Sequence, residues 1–143
     1  MAIRYYEQEV RAKLSNKRKL SDYLLQLVNT HLPQVKHVDL RFIFCTDEYL
    51  LAINQQFLDH DTFTDIITFD LSEDKEILEG EIYISVQRIQ DNAAKFHTDY
   101  RQELHRVIFH GVLHLCGFKD KTTKDKELMR LQENSCLEAY FNS

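Results

Sequence analysis

Residues 99–121 read DYRQELHRVIFHGVLHLCGFKDK, and this stretch organises the rest of the chain. His110 and His114 are four residues apart, Gly117 follows three later and Asp120 three after that. On an α-helix, positions i and i+4 lie about 40° apart around the axis and one turn apart in height. Two imidazoles at that spacing point the same way and can share one metal ion. Gly117 stands where the helix should stop, because glycine accepts the left-handed conformation that terminates helices. The chain can then double back and bring Asp120 to the same ion. Two nitrogens, a carboxylate oxygen and an open position form the ligand set of a catalytic zinc site. The expectation is one Zn²⁺ held by His110, His114 and Asp120. The helix does not need these histidines as core, since Leu104, Ile108, Val112 and Leu115 supply its apolar face.

The pattern also excludes a chemistry. Zinc peptidases of the His-Glu-x-x-His type place a general-base glutamate directly after the first histidine. Gly111 occupies that position and can carry no proton. The helix is zincin-like, but a peptidase mechanism built on that glutamate is closed to it.

The segment HGVLHLCGF at 110–118 resembles the signature His-Gly-x-Leu-His-Leu-x-Gly-Tyr-Asp-His of the YbeY family of bacterial rRNA-maturation endoribonucleases. The block beginning at Asn54 ends in TDIITF at 64–69, which is similar to the family's Thr-Asp-Val-Leu-Ser-Phe strand. GEIYIS at 80–85 is similar to its Gly-Asp-Ile-x-Ile-Ser strand. The three blocks stand in the family's order. The resemblance implies a metal-dependent nuclease acting on single-stranded RNA, in 3′ end maturation of the small-subunit 16S ribosomal RNA and in ribosome quality control. The partners it implies are ribosomal RNA and the small ribosomal subunit.

Two departures stand out. The family's third metal histidine falls at Asp120, a harder and negatively charged ligand. Its arginine in the Asn-x-x-Tyr-Arg segment falls at Leu58, so a cationic phosphate contact is missing there. His60, or Lys119 and Lys121 beside the metal turn, are the candidates to replace that charge. Asp65 either orients a metal histidine or caps the strand that follows it.

At 143 residues the chain reads as one domain, 1–143, long enough for a core without disulfides. Cys45, Cys116 and Cys136 are odd in number and lack Cys-x-x-Cys spacing, which fits a reducing cytoplasm. The opening MAIRYY carries no basic leader ahead of an apolar run, and no apolar stretch reaches membrane-spanning length, so no membrane association is expected.

The pattern predicts a strand at 3–6 and a helix at 17–31 capped by Ser15 or Asn16, with Pro33 ending it. A strand at 38–44 and a helix at 47–57 capped by Thr46 follow. Next come a polar loop at 58–64, a strand at 65–71, an acidic turn at 72–79 and a strand at 81–85. Helices are predicted at 86–95 and about 100–115, with a last one from Thr122 or Thr123 that buries Leu128, Leu131, Leu137 and Phe141. Mixed strands and helices with two long helices at the end argue for α+β. The resemblance implies a central mixed sheet of about four strands, with the metal helix beside a cleft.

The formal net charge of −5 is unusual for an RNA-cutting protein, because polyanion binders lean on basic surfaces. Basic clusters do occur at Arg11, Lys13, Lys17, Arg18 and Lys19, and at Lys119, Lys121, Lys124 and Lys126. They read either as solvated faces or as phosphate contacts. From the residues alone the conclusion is a metal-dependent hydrolase. The alternatives to the endoribonuclease that the resemblance implies are another metallohydrolase, or a non-catalytic ribosome-associated factor whose metal only holds the Gly117–Asp120 turn.

Overall fold

Two nine-residue strands with strict alternation form the middle of the sheet. In β2, His37–Cys45, the residues Val38, Leu40, Phe42 and Phe44 are buried, and in β4, Ile77–Ser85, Leu78, Ile82 and Ile84 are buried on the same face. Period-two burial of β-branched and aromatic residues is what a sheet packed against helices requires. The structure, a computed structural model, describes residues 1–58 and 64–142, and His60 lies outside them. Strand β1, Ala2–Glu7, pairs parallel to β2, and β2 pairs parallel to β4. Strand β3, Ile66–Asp70, pairs antiparallel to β4, giving the order β1-β2-β4-β3. The fold is α+β on a mixed four-stranded sheet.

Helix α1, Lys17–His31, buries Leu20, Leu24, Leu27 and Val28 in the main core. Helices α4, Tyr100–Leu115, and α5, Thr123–Phe141, join it there, and α3, Val86–Lys95, adds Val86 and Ile89. Helix α2, Asp47–Leu58, packs instead into a smaller cluster of Cys45, Leu50, Ile53 and Ile67, with Phe69 and Tyr83 at its border. In β3 and β4 the residues Ile67, Phe69 and Tyr83 alternate with the core-facing Ile66, Ile82 and Ile84, so this cluster occupies the other sheet face. No helix among the described residues is long and apolar enough to cross a membrane. The three cysteines are free thiols.

Two glycines set where α4 lies. A Cβ on Gly111 would come within 3.0 Å of Ile66 Cδ1 and of Ile82 Cγ2, so the helix packs tightly on the sheet there. Gly117, with φ at +106°, ends the helix. Its N–H donates to the His114 carbonyl at 3.0 Å, and the Phe118 N–H donates to the Leu113 carbonyl at 3.1 Å. These paired bonds form a Schellman motif, which satisfies the last carbonyls and turns the chain back toward the sheet.

Several sequence expectations change. Asn16 takes the cap position of α1 in the left-handed conformation and makes no side-chain cap bond. Thr46 does cap α2, accepting from the Tyr49 N–H at 3.0 Å. Strand β4 starts at Ile77 rather than 81, because its ladder to β2 begins at the His37–Ile77 pair, and Arg41 of β2 pairs with Glu79 at 3.2 Å within it. Leu128 and Leu131 are 48% and 62% exposed, whereas Leu137 is buried and Phe141 partly so. The buried stripe of α5 runs through Met129, Glu133, Cys136, Leu137 and Tyr140. Leucine content misplaced the stripe, and the helical spacing of its other members sets it.

Two outcomes follow from the glycines. Gly117→Ala meets no steric neighbour, so its cost is the left-handed backbone alone, about 1–2 kcal/mol by urea denaturation. Gly111→Glu buries a carboxylate against Ile66 and Ile82. It should destabilise the fold by about 3 kcal/mol or more in the same assay.

Candidate active site

Helix α4 presents one polar stripe at three- and four-residue steps, namely Glu103, Arg106, His110 and His114. This stripe forms one wall of a cleft of about 540 Å³. The edge strand β3 and the residues leading into it form the opposite wall, with Thr64, Asp65 and Thr68 facing in. Asp120 closes one end from the turn after Gly117, and Arg130 and Glu133 enter from α5. Asn54 and Leu58, from α2, complete the rim.

His110 sits at the junction of these elements. Its Nδ1 lies 2.7 Å from Glu133 Oε2, and its Nε2 lies 3.3 Å from Asp120 Oδ2. Burial works to lower its pKa. The Glu133 hydrogen bond and the charges of Glu133, Asp120 and Asp65 override that and raise it above the ordinary imidazole value. Glu133 responds in the opposite sense. Burial alone would push its carboxyl up, but bonds from His110 and Arg106 hold it below the usual glutamate range. Arg106 Nη1 donates to Glu133 Oε1 at 3.0 Å and Nη2 donates to Asn134 Oδ1 at 2.8 Å.

The sequence-predicted residues fall out as follows. His110, His114 and Asp120 all line the one cleft, with His114 more exposed than the other two. The donor types suit a borderline metal such as zinc. Among the described residues, however, no three His, Cys, Asp or Glu side chains close around a common point. Asp65 anchors the start of β3, its carbonyl accepting from the Ser85 N–H at 3.0 Å, and its side chain lines the cleft. Burial raises the pKa of its carboxyl, with His110 opposing. Lys119 and Lys121 are exposed and line neither this cleft nor the groove beside it. The cleft's cations are Arg106 and Arg130. Leu58 does face the cleft, so an apolar side chain stands at the position where the family carries arginine.

Sequence reasoning missed Glu133, Arg106, Glu103 and Arg130. For the first three a signal existed. Arg106 and Glu103 lie on the α4 stripe that carries His110. Glu133 is a glutamate inside an otherwise apolar helical stripe, and a buried carboxylate demands a partner.

Comparison with known proteins agrees with the three sequence blocks. The family model described as Endoribonuclease YbeY matches residues 2–141. The endoribonuclease YbeY of Cytophaga hutchinsonii is 47% identical over 137 residues, covering 94% of this chain and 93% of that protein. The one from Parabacteroides distasonis is 43% identical over 137 residues, covering 96% and 94%. The solution structure of TM1509 from Thermotoga maritima superposes with a TM-score of 0.64 at 25% identity, covering 99% of this chain and 90% of that one. A four-stranded mixed sheet, a histidine helix ended by Gly117 and matches along nearly the whole length lead to one conclusion: the chain belongs to the YbeY family of endoribonucleases.

Proposed function

We propose that the cleft between β3, α4 and α5 cleaves single-stranded RNA, and that His110, His114 and Asp120 would hold one divalent ion, zinc by donor type, during the reaction. The observation that carries this reading is that these three side chains line one cleft in a chain of an endoribonuclease family. The family's setting, maturation of small-subunit ribosomal RNA, supplies the substrate class. When bound, a divalent ion supplies Lewis acidity for phosphodiester hydrolysis.

The chain's own residues set the rest. Glu133 accepts the hydrogen bond from His110 Nδ1, which fixes the tautomer and leaves Nε2 turned toward Asp120 and the cleft. Arg106 holds Glu133 in place from its other oxygen. Asp65, with its carboxyl pKa raised by burial, is suited to hold or accept a proton opposite His110. Gly111 keeps a carboxylate out of the position that peptidases use.

The direct test compares zinc-loaded wild type with an identically purified His114→Ala preparation on a single-stranded RNA. Cleavage by wild type with loss of both zinc content and cleavage in the variant is the expected result. Equal cleavage by both would place the chemistry elsewhere. A second test addresses Glu133. Glu133→Ala leaves the Arg106 guanidinium, 16% exposed, without its carboxylate. It should cost about 3 kcal/mol in urea unfolding and weaken zinc binding by roughly 10-fold or more in calorimetric titration. Glu133→Gln keeps an acceptor for His110 and should retain more of the zinc affinity than the alanine variant.

A further inference from the structure

A second groove, of about 790 Å³, runs along α5 from the cleft. His110, Asp120, Arg130 and Glu133 line both, so the two are continuous. Beyond the shared residues the groove is lined by Thr123, Lys126 and Leu131, among others. Thr123, Lys126 and Arg130 fall on one stripe of α5 at steps of three and four, and Leu131 projects beside it, 62% exposed.

The cations in this region are not equivalent. Arg106 is 16% exposed and its guanidinium is committed to Glu133 and Asn134. Arg130 is 66% exposed, and its ion pair among the described residues, with Glu133, is 3.8 Å long. That separation is too long for a hydrogen bond. Arg130 therefore stands largely exposed, without a hydrogen bond to Glu133, where the cleft opens into the groove. Among the acids nearby, Glu103 of the cleft does act on it electrostatically. Glu133 is already neutralised by Arg106 and His110, and Asp120 faces His110. Glu127 remains as the acid of the groove beyond the shared residues, set against Lys126 and Arg130.

We propose that this α5 groove carries the single-stranded RNA away from the cleft, with Arg130 contacting a phosphate at the junction and Lys126 a phosphate further along. The inference rests on the RNA-cleaving reading above. A planar fork that binds phosphate through two parallel bonds suits the junction, where the strand must be held in register with His110. Leu131 offers an apolar surface to a sugar or base beside that contact. The groove supplies the cation that Leu58 does not.

The test is equilibrium binding of a mixed-sequence single-stranded RNA oligonucleotide to the full-length chain in EDTA, by fluorescence anisotropy across a salt series. Arg130→Ala should weaken binding on the order of fivefold at low salt and flatten the slope of log affinity against log salt by about 0.7. Lys126→Ala should act in the same direction. Arg130→Lys should keep the slope while losing part of the affinity. Lys36→Ala, an exposed residue paired with Glu76 and lining neither groove, should change nothing. The exposure of Arg130 predicts an unchanged melting temperature for its variants. Unchanged affinity and slope in Arg130→Ala beside a wild type that binds would overturn the groove assignment and leave the ribonuclease reading intact. A wild type that shows no salt-dependent RNA binding would also overturn the groove assignment, and cleavage by the zinc-loaded protein then decides the ribonuclease reading separately.

Discussion

The buried carboxylate of Glu133 is the constraint on which the site depends. Placing a carboxylate at 7% exposure costs several kcal/mol unless its oxygens are bonded. Here one oxygen takes the Arg106 guanidinium and the other takes His110 Nδ1. Both partners sit on α4, one turn apart, so the two bonds pin α5 against α4 at the floor of the cleft. The same bonds decide which nitrogen of His110 faces Asp120. The two pKa shifts share this origin, down for Glu133 and up for His110. The glutamate's share of stability is present above the ordinary carboxylate range and is lost as pH falls through its lowered value. The histidine's share is present below the ordinary imidazole value and is lost as pH rises through its raised one.

Gly111 explains why the chemistry differs from that of the peptidases whose helix this one resembles. Its hydrogen faces Ile66 and Ile82 where helix and sheet pack tightly. A glutamate there would point into packed aliphatic side chains rather than into the cleft. The missing general base is therefore a consequence of how closely α4 lies on β3 and β4, and that closeness also brings Thr68 of β3 and Asp65 just before it opposite His110.

Much of this was legible in the sequence, for definite physical reasons. The α4 boundaries follow from an apolar stripe ended by a glycine, and the β2 core follows from alternation. The grouping of His110, His114 and Asp120 along one cleft follows from helical spacing plus a reversal at Gly117. What the sequence concealed depends on partners distant in the chain. Glu79 looks like a turn residue until Arg41, 38 positions earlier, pairs with it across the β2–β4 ladder. Leu128 and Leu131 look like core until Glu133, held by α4, fixes the rotation of α5. Arg130 carries no local signal, because its significance comes from lying where two grooves join.

The net charge of −5 lies partly on a surface that an RNA in the cleft does not meet. Along β2 and β4 the core-facing residues Leu40 and Ile82 alternate with Asp39, Arg41, Glu79 and Glu81, so these charges lie on the sheet face away from α4. The sheet itself stands between them and α4. They are further compensated by Arg41, which pairs with Asp39, Glu79 and Glu81 together. The potential that an RNA meets is therefore set by the side chains of the cleft and the α5 groove. There Glu133 is matched by Arg106 and His110, Asp65, Glu103 and Asp120 also line the cleft, and the exposed cations are few. A chain built this way binds non-specific nucleic acid weakly, because few counterions are released. It must draw its selectivity from how a small number of cations position the strand against His110.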